Sequence, residues 1–457
     1  MAEVSKKKRI WGWMMFDWAS QPYNTLLLTF IFGPYFADMV SSHLISAGLA
    51  EQAAKARAQT LWGYGLTVAG LTIAVMAPVL GAIADSTGKH MPWVKVFSVF
   101  YIVGAFGLWW TAPDDFSVVW ALAFFGIGFV GMEFTTIFTN GMLPSLGNEK
   151  EIGRISGSGF ALGYWGGVLA LAIMLLFFAE DDTGKTLLDI SPLFGLDPAA
   201  REGTRFVGPF TAIWYIVFMI PFFMYVREDS TAHKAFGGMK DALGSLWVSI
   251  RSIFQRKSLG SFLGSSLLYR DALNGLYGFG ALYAVGVLDW SIIQIGVFGV
   301  VGAITSAIFS WIGGRLDSRM GPKPVITGSI VALTTVCIIV ISMTRESLFG
   351  FPLAAGSSLP DIIFYVCGGV IGAAGGILQA SSRTMMVLHA NPDRPTEAFG
   401  LYALSGKSTA FLAPAAISFA TQMSGNQRLG ISPLILLFIL SLILLIWVNP
   451  RGDVKAA

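Results

Sequence analysis

Three acids and two bases lie inside long apolar runs of this chain: Asp17, Glu133 and Asp271, and Arg270 and Lys407. Asp17, Gln21 and Asn24 are spaced four and three residues apart, which puts all three on one face of a helix. Arg270, Asn274 and Tyr277 repeat that spacing, with Asp271 about 100° around the same helix. Glu133 sits in FGIGFVGMEFTTIFTNG with no basic residue in its own run, and Gln379 ends the glycine-rich GGVIGAAGGILQASSR. A carboxyl in apolar surroundings binds and releases a proton when its partners change, because desolvation raises its pKa and pairing lowers it. Asp17, Glu133 and Asp271 are therefore candidate proton-coupling residues, with Glu133 first. A guanidinium or ammonium at depth holds a carboxylate, and amides orient a polar solute. Asn24, Arg270, Asn274, Gln379 and Lys407 are the candidate solute-binding residues. Asp17 is only about six residues from the start of its run, so a gate or a structural pair suits it as well as solute contact. Internal ion pairs that serve structure alone remain the alternative for any one of these charges.

The elements that position these groups are membrane helices. Of the 457 residues, 54% are hydrophobic and only 12% charged, against about 25% charged in soluble domains. The net charge of +3 and the lack of a basic patch interleaved with aromatics give no sign of nucleic-acid binding. Cys337 and Cys367 fall inside apolar runs, so no disulfide framework is expected, and the four histidines have no metal-ligand spacing. SGKS (405–408) and TGKT (183–186) lack the earlier glycine of a phosphate-binding loop. No nucleophile–base constellation points to an enzyme, and neither a metal nor another cofactor is expected.

Twelve apolar segments can be counted, near 12–37, 61–84, 93–111, 117–142, 155–179, 207–226, 258–286, 291–314, 324–343, 361–383, 398–422 and 430–448. Each is long enough to cross a bilayer as a helix. Pro22 lies mid-stripe in the first and invites a kink. Lys and Arg divide 21 against 7 in favour of the side that holds both termini, which the positive-inside rule makes cytoplasmic. The spacing predicts an N-terminal six-helix bundle over 1–226, a cytoplasmic linker over 227–257 and a C-terminal six-helix bundle over 258–457. Within the linker Met239, Leu243, Leu246, Trp247, Ile250 and Phe254 share a helical face, as in an interfacial amphipathic helix.

The halves read as a parallel repeat. FDWASQPYN is echoed by YRDALNGLY, aligning Asp17 with Asp271. GAIADSTGKH (81–90) is echoed by GGRLDSRMGPK (313–323), aligning Asp85 with Asp317, and a long outer loop over 39–60 accounts for the unequal offsets. Asp85 sits at the C-terminal end of its own helix, where the dipole disfavours a negative charge. It needs an outside partner, either Lys89 or the N-terminus of a neighbouring helix. Gly81 and Gly88 permit the close approach and the sharp turn. A six-plus-six repeat is the plan of a secondary transporter.

GAIADSTGKH resembles the loop 2–3 motif of the major facilitator superfamily, with Ser86 in place of the usual basic residue and a more divergent second copy. The resemblance implies that Gly81, Asp85, Gly88, Lys89, Asp317 and Gly321 latch a cytoplasmic gate. FDWASQPYNTLLLTFIFGPYF, NGMLPSLGNEKEIGRISGSGFALGYWGG (140–167) and GGILQASSRTMMVLHANPDRPTEAFGLYALSGKSTAFLAPA (375–415) extend it to the Unknown Major Facilitator family, which includes fungal vacuolar amino-acid effluxers linked to autophagy. That likeness implies alternating access around a central cavity lined by spans one, four, seven, ten and eleven. The expected protein is a monomeric, multi-pass carrier of a small polar or zwitterionic solute, an amino acid among the candidates, driven by protons. Its short loops suggest a bacterial inner membrane. The rival reading is a membrane receptor or assembly factor built on a transporter scaffold.

Overall fold

The computed structural model describes residues 4–181, 183–228, 244, 246–248, 250, 251, 253, 255–290, 292–354 and 356–452. The chain opens with α1 (Lys6–Pro22), and at Pro22 the helix changes character. Proline supplies no N–H, and Tyr23–Phe30 continues as a π-helix before α2 (Phe32–Ser46) resumes α-geometry. The wider coil shows in its bonds: Ile31 N–H reaches Leu26 O, and Thr29 Oγ1 donates to Asn24 O. The kink expected at Pro22 is thus a π segment, and it carries Asn24.

Next come α3 (Glu51–Thr87), α4 (Met91–Gly107), α5 (Val118–Gly141), α6 (Glu149–Phe177), the short α7 (Glu202–Arg205) and α8 (Val207–Tyr225). The outer loop expected over 39–60 is mostly helical instead, since α2 runs to Ser46 and α3 begins at Glu51. Its EQAAKARAQT stretch is built of strong helix formers, with Glu51 and Lys55 paired at 2.6 Å one turn apart.

The later helices are α9 (Lys257–Leu288), α10 (Ile292–Met320), α11 (Pro322–Ile341), α12 (Leu359–His389), α13 (Pro395–Lys407), α14 (Leu412–Ser424) and α15 (Ser432–Ile446). A two-residue hairpin, Ser347–Leu348 with Phe351–Pro352, links α11 to α12. Ten helical segments among the described residues are long and apolar enough to cross a membrane. The other two expected spans are helical as well. Span seven is α9, whose interior carries Arg270, Asp271 and Asn274; span eleven is broken into α13 and α14 just after Lys407.

By contact the chain falls into two compact units, one of Met1–Ala77, Thr87–Asn140 and Leu162–Lys234, the other of Pro78–Ser86, Gly141–Ala161 and Ala235–Ala457. The first has an aromatic core. Tyr23 Oη donates to Phe125 O at 2.6 Å, its ring meets Tyr101 edge-on at 5.0 Å, and Tyr101 stacks on Tyr215 at 3.9 Å. In the second, the glycines of α12 bring it close to α10: a Cβ on Gly372 would stand 2.1 Å from Gly302 O. Of the linker, Leu246 is buried against Ala82 and Leu401, with Ile250 and Ile253 beside it. Trp247 and Val248 are exposed, and Met239, Leu243 and Phe254 lie outside the described residues.

Candidate functional site

Each α-helix leaves its first N–H groups unbonded, and this chain repeatedly fills that need with a distant carboxylate. Helix α13 has Arg394 at its N-cap position, a side chain that cannot accept. Asp85, at the end of α3, takes the place: its Oδ1 accepts from Thr396 N–H at 3.2 Å and its Oδ2 from Glu397 N–H at 2.7 Å. Of the two partners expected for Asp85, the neighbouring helix N-terminus is the one found; Lys89 is exposed and does not pair with it. Gly81, one turn back, is where the backbones meet, since a Cβ there would lie 2.7 Å from Thr396 O. Gly88 turns the chain out of α3 at φ +64°, and Gly321 does the same after α10 at φ +80°.

The second copy is wired differently. Asp317, near the end of α10, is buried and accepts from Ser381 Oγ of α12 at 2.8 Å, not from a helix N-terminus. The start of α6 packs beside it: a Cβ on Gly153 would stand 2.6 Å from Asp317 Cβ, and one on Gly157 would stand 2.6 Å from Gly314 Cα. Close by, Arg383 of α12 is buried, donating Nε to Ser156 Oγ at 2.9 Å and Nη2 to Ser156 O at 2.7 Å, over the ring of Phe160. The expected end of span ten stopped at Arg383; α12 runs on to His389 and takes the guanidinium inside.

Midway along α9, the second unit presents a polar face. Arg270 is half-buried, donates Nη1 to Tyr402 O at 3.0 Å, and lies over the Tyr402 ring with Cζ 4.3 Å from its centroid. It fits there because residue 406 is glycine, whose Cβ would fall 2.4 Å from Arg270 Cζ. Among the described residues of the second unit, no carboxylate lies in ion-pair range of Arg270. Asn274 and Tyr277 continue the face and are exposed, and the Tyr277 hydroxyl reaches Gly375 of α12. Gln379, half-buried one turn further along α12, donates to Gly375 O at 3.4 Å, and half-buried Lys407 ends α13 beside the break. Asp271 stands apart from this group. It is 1% exposed and turned to the other side of α9, where Oδ2 accepts from Ala413 N–H at 2.8 Å.

In the first unit Asn24 is half-buried within the π segment, and Glu133 is half-buried on α5 in line with Thr136 and Asn140. Asp17 is half-buried on α1, its backbone packed against Gly163 of α6. Another distant cap lies in this unit: Glu228 accepts from the backbone N–H groups of His90 and Met91 at the start of α4 and pairs with His90 Nδ1 at 3.2 Å. Burial pushes the Glu228 carboxyl up, but the bonds from the His90 ring and the two amides outweigh it and hold it below the ordinary glutamate value. Tyr402, Ser156, Glu228 and Ala413 were not among the residues expected to matter. Only Ala413 had a local signal, Pro414 just after it, marking a helix start within an apolar run.

Residues 5–457 match the family described as "Vacuole effluxer Atg22 like". The "Uncharacterized MFS-type transporter YxiO" of Bacillus subtilis is 24% identical, over 96% of this chain and 94% of its own. Autophagy-related protein 22 of Cryptococcus neoformans is 22% identical over 61% of this chain and 47% of its own, and that of Saccharomyces cerevisiae (strain ATCC 204508 / S288c) 23% identical over 63% and 55%, so the chain spans about half the length of these fungal relatives. Among solved structures, the human organic anion transporter MFSD10 superposes with a TM-score of 0.69 at 15% identity, covering 97% of this chain and 100% of that one. The proton:xylose symporter XylE does so at 0.68 and 10%, covering 96% and 94%. The fold is that of the major facilitator superfamily, and the chain belongs to the Atg22-like vacuole effluxer family.

Proposed function

We propose that this secondary transporter carries a small solute bearing a carboxylate, zwitterionic or anionic, and that Arg270 receives that carboxylate. The observation that carries the reading is a guanidinium midway along a membrane helix with most of its donors unused and, among the described residues of its unit, no acidic partner. Lipid offers no reason to keep such a group, and a solute carboxylate does. Lys407, Gln379, Asn274 and Tyr277 complete the polar face of the second unit. An amino acid is the leading class of such a solute. Protons are the coupling ion, carried by Glu133 and Asp271. The termini are cytoplasmic, the membrane is a bacterial inner membrane, and the chain works alone. Asp85 on α13 latches the cytoplasmic gate, with Asp317 as its divergent counterpart.

A thermal-shift screen of the purified protein tests this, because a ligand of the folded state raises its apparent stability. Amino acids are compared with their carboxamides. A carboxylate solute that stabilises the wild type, whose amide does not, supports the reading; equal effects of acid and amide reject it.

A further inference from the structure

Span eleven is broken between Lys407 and Leu412, and both ends of the break are held by adjacent residues of α9. Arg270 donates to the carbonyl of Tyr402, near the C-terminal, negative end of α13. Asp271 accepts from the amide of Ala413, in the first turn and at the positive end of α14. Each charge sits where the helix dipole favours it. The two differ in how completely they are satisfied. Asp271 is 1% exposed, and while Oδ2 is bonded, Oδ1 is buried with no donor among the described residues.

The surroundings of Asp271 are apolar. Gly275, one turn on, packs against Ala413 and Ile417 of α14 and Leu434 of α15, and neither of those helices carries a titratable side chain. Helix α13, also against α9, brings Glu397, Tyr402 and Lys407; Tyr402 lies under Arg270, and Glu397 is at the far end beside Arg394. Helix α12 brings Asp361, Tyr365, Cys367, Arg383 and His389, of which Asp361 pairs with Arg345, Arg383 is bonded to Ser156 and His389 to Ser258. On α9 itself Tyr269 is bonded to Ser382. An ionised carboxylate with one bare oxygen among apolar helices is costly, and a proton on that oxygen removes the cost.

We propose that Asp271 is a proton-binding site that works the break in span eleven. The proton is taken up on Oδ1. The neutral carboxyl keeps only a weak bond from Ala413 N–H, and the first turn of α14 parts from α9; when the proton leaves, the carboxylate pins that turn again. This rests on the reading of the chain as a carrier with Arg270 as its solute group, and it assigns Asp271 a task that needs no contact with solute. Proton and solute then act on the two ends of one hinge.

Hydrogen exchange of the purified full-length protein, read over residues 412–417 at mildly acidic and mildly alkaline pH, tests this without a solute. After correction for intrinsic rates, these amides lose about fivefold in protection at the acidic pH, the difference between a charged and a neutral acceptor, while those of α15 do not. Asp271→Asn is flat with pH and sits near the acidic level, and Asp271→Glu keeps the response. A wild type that is flat with pH, or an Asp271→Asn variant that still responds, overturns the proposal. If Asp271→Asn fails to fold, the wild type and Asp271→Glu decide: a flat profile in either overturns it. Arg270→Gln retains the pH response, so a loss of solute binding in that variant bears on the solute reading alone.

Discussion

The carboxylate of Asp85 accepts the backbone N–H of Glu397 at 2.7 Å, across 312 residues of sequence. It supplies the N-cap that Arg394 cannot, and it places an acid that opposes its own helix dipole at the end of another dipole that favours it.

Asp85→Ala removes that cap and leaves the Thr396 and Glu397 amides buried without an acceptor. The expected cost is about 0.5–2 kcal/mol of stability, and Asp85→Asn, whose amide oxygen still accepts, retains most of it. If Asp85 is the latch, the alanine variant also exposes cysteines introduced along α13 to thiol reagents faster than the asparagine variant. Denaturant unfolding with labelling rates checks both statements.

Gly81→Ala acts at the same junction from the other side. Its Cβ would meet the carbonyl oxygen of Thr396 at 2.7 Å and the Cα of Glu397 at 3.0 Å. Backbone cannot step aside as a side chain does, so the variant unfolds more readily by roughly 1–3 kcal/mol. It resembles Asp85→Ala in labelling rate. Wild-type stability in Gly81→Ala contradicts the close approach.

Gly406→Ala gives the opposite pattern. The atoms nearest the Cβ belong to the Arg270 guanidinium, with Cζ at 2.4 Å, and that is the far end of a flexible side chain. Stability changes by less than about 1 kcal/mol, while solute affinity shifts because Arg270 is displaced from the carbonyl of Tyr402. A ligand titration beside a melting curve separates the two effects.

Glu228 makes one part of the fold sensitive to acid. Its folded pKa lies below the ordinary glutamate value because the His90 ring and two amides bond the ionised form. Its contribution is therefore fully present above the unfolded value and is lost as pH falls from there through the folded value. Wild-type protein loses protection at the start of α4 over that window. Glu228→Gln, which cannot ionise, is less stable than wild type near neutral pH, and the gap closes as acid is added.

Several of these features are legible in the amino-acid sequence alone. Asp85 at the wrong end of its own dipole demanded a partner elsewhere, and Pro22 demanded a break in the first helix. The identity of the partner was not legible, because nothing local to Asp85 encodes a helix start three hundred residues away. The break after Lys407 was obscured by apolar residues that continue through it, although Pro414 marks a new helix. Residues 51–60 read as loop because they are charged, yet Ala, Glu, Lys and Gln favour helix and here extend α3. The helical period sets Arg270 and Asp271 about 100° apart, so the sequence itself separates their faces. One faces the polar side of α9, and the other faces apolar helices.

The central claim is that Arg270 receives the carboxylate of the transported solute. It is tested most directly by solute exchange into proteoliposomes, using labelled amino acids and comparing wild type with Arg270→Lys and Arg270→Gln. Exchange is predicted for the wild type, with a loss of roughly tenfold or more in Arg270→Gln and a smaller loss in Arg270→Lys, which keeps the charge without the fork. Exchange by Arg270→Gln at the wild-type rate and affinity would contradict the account.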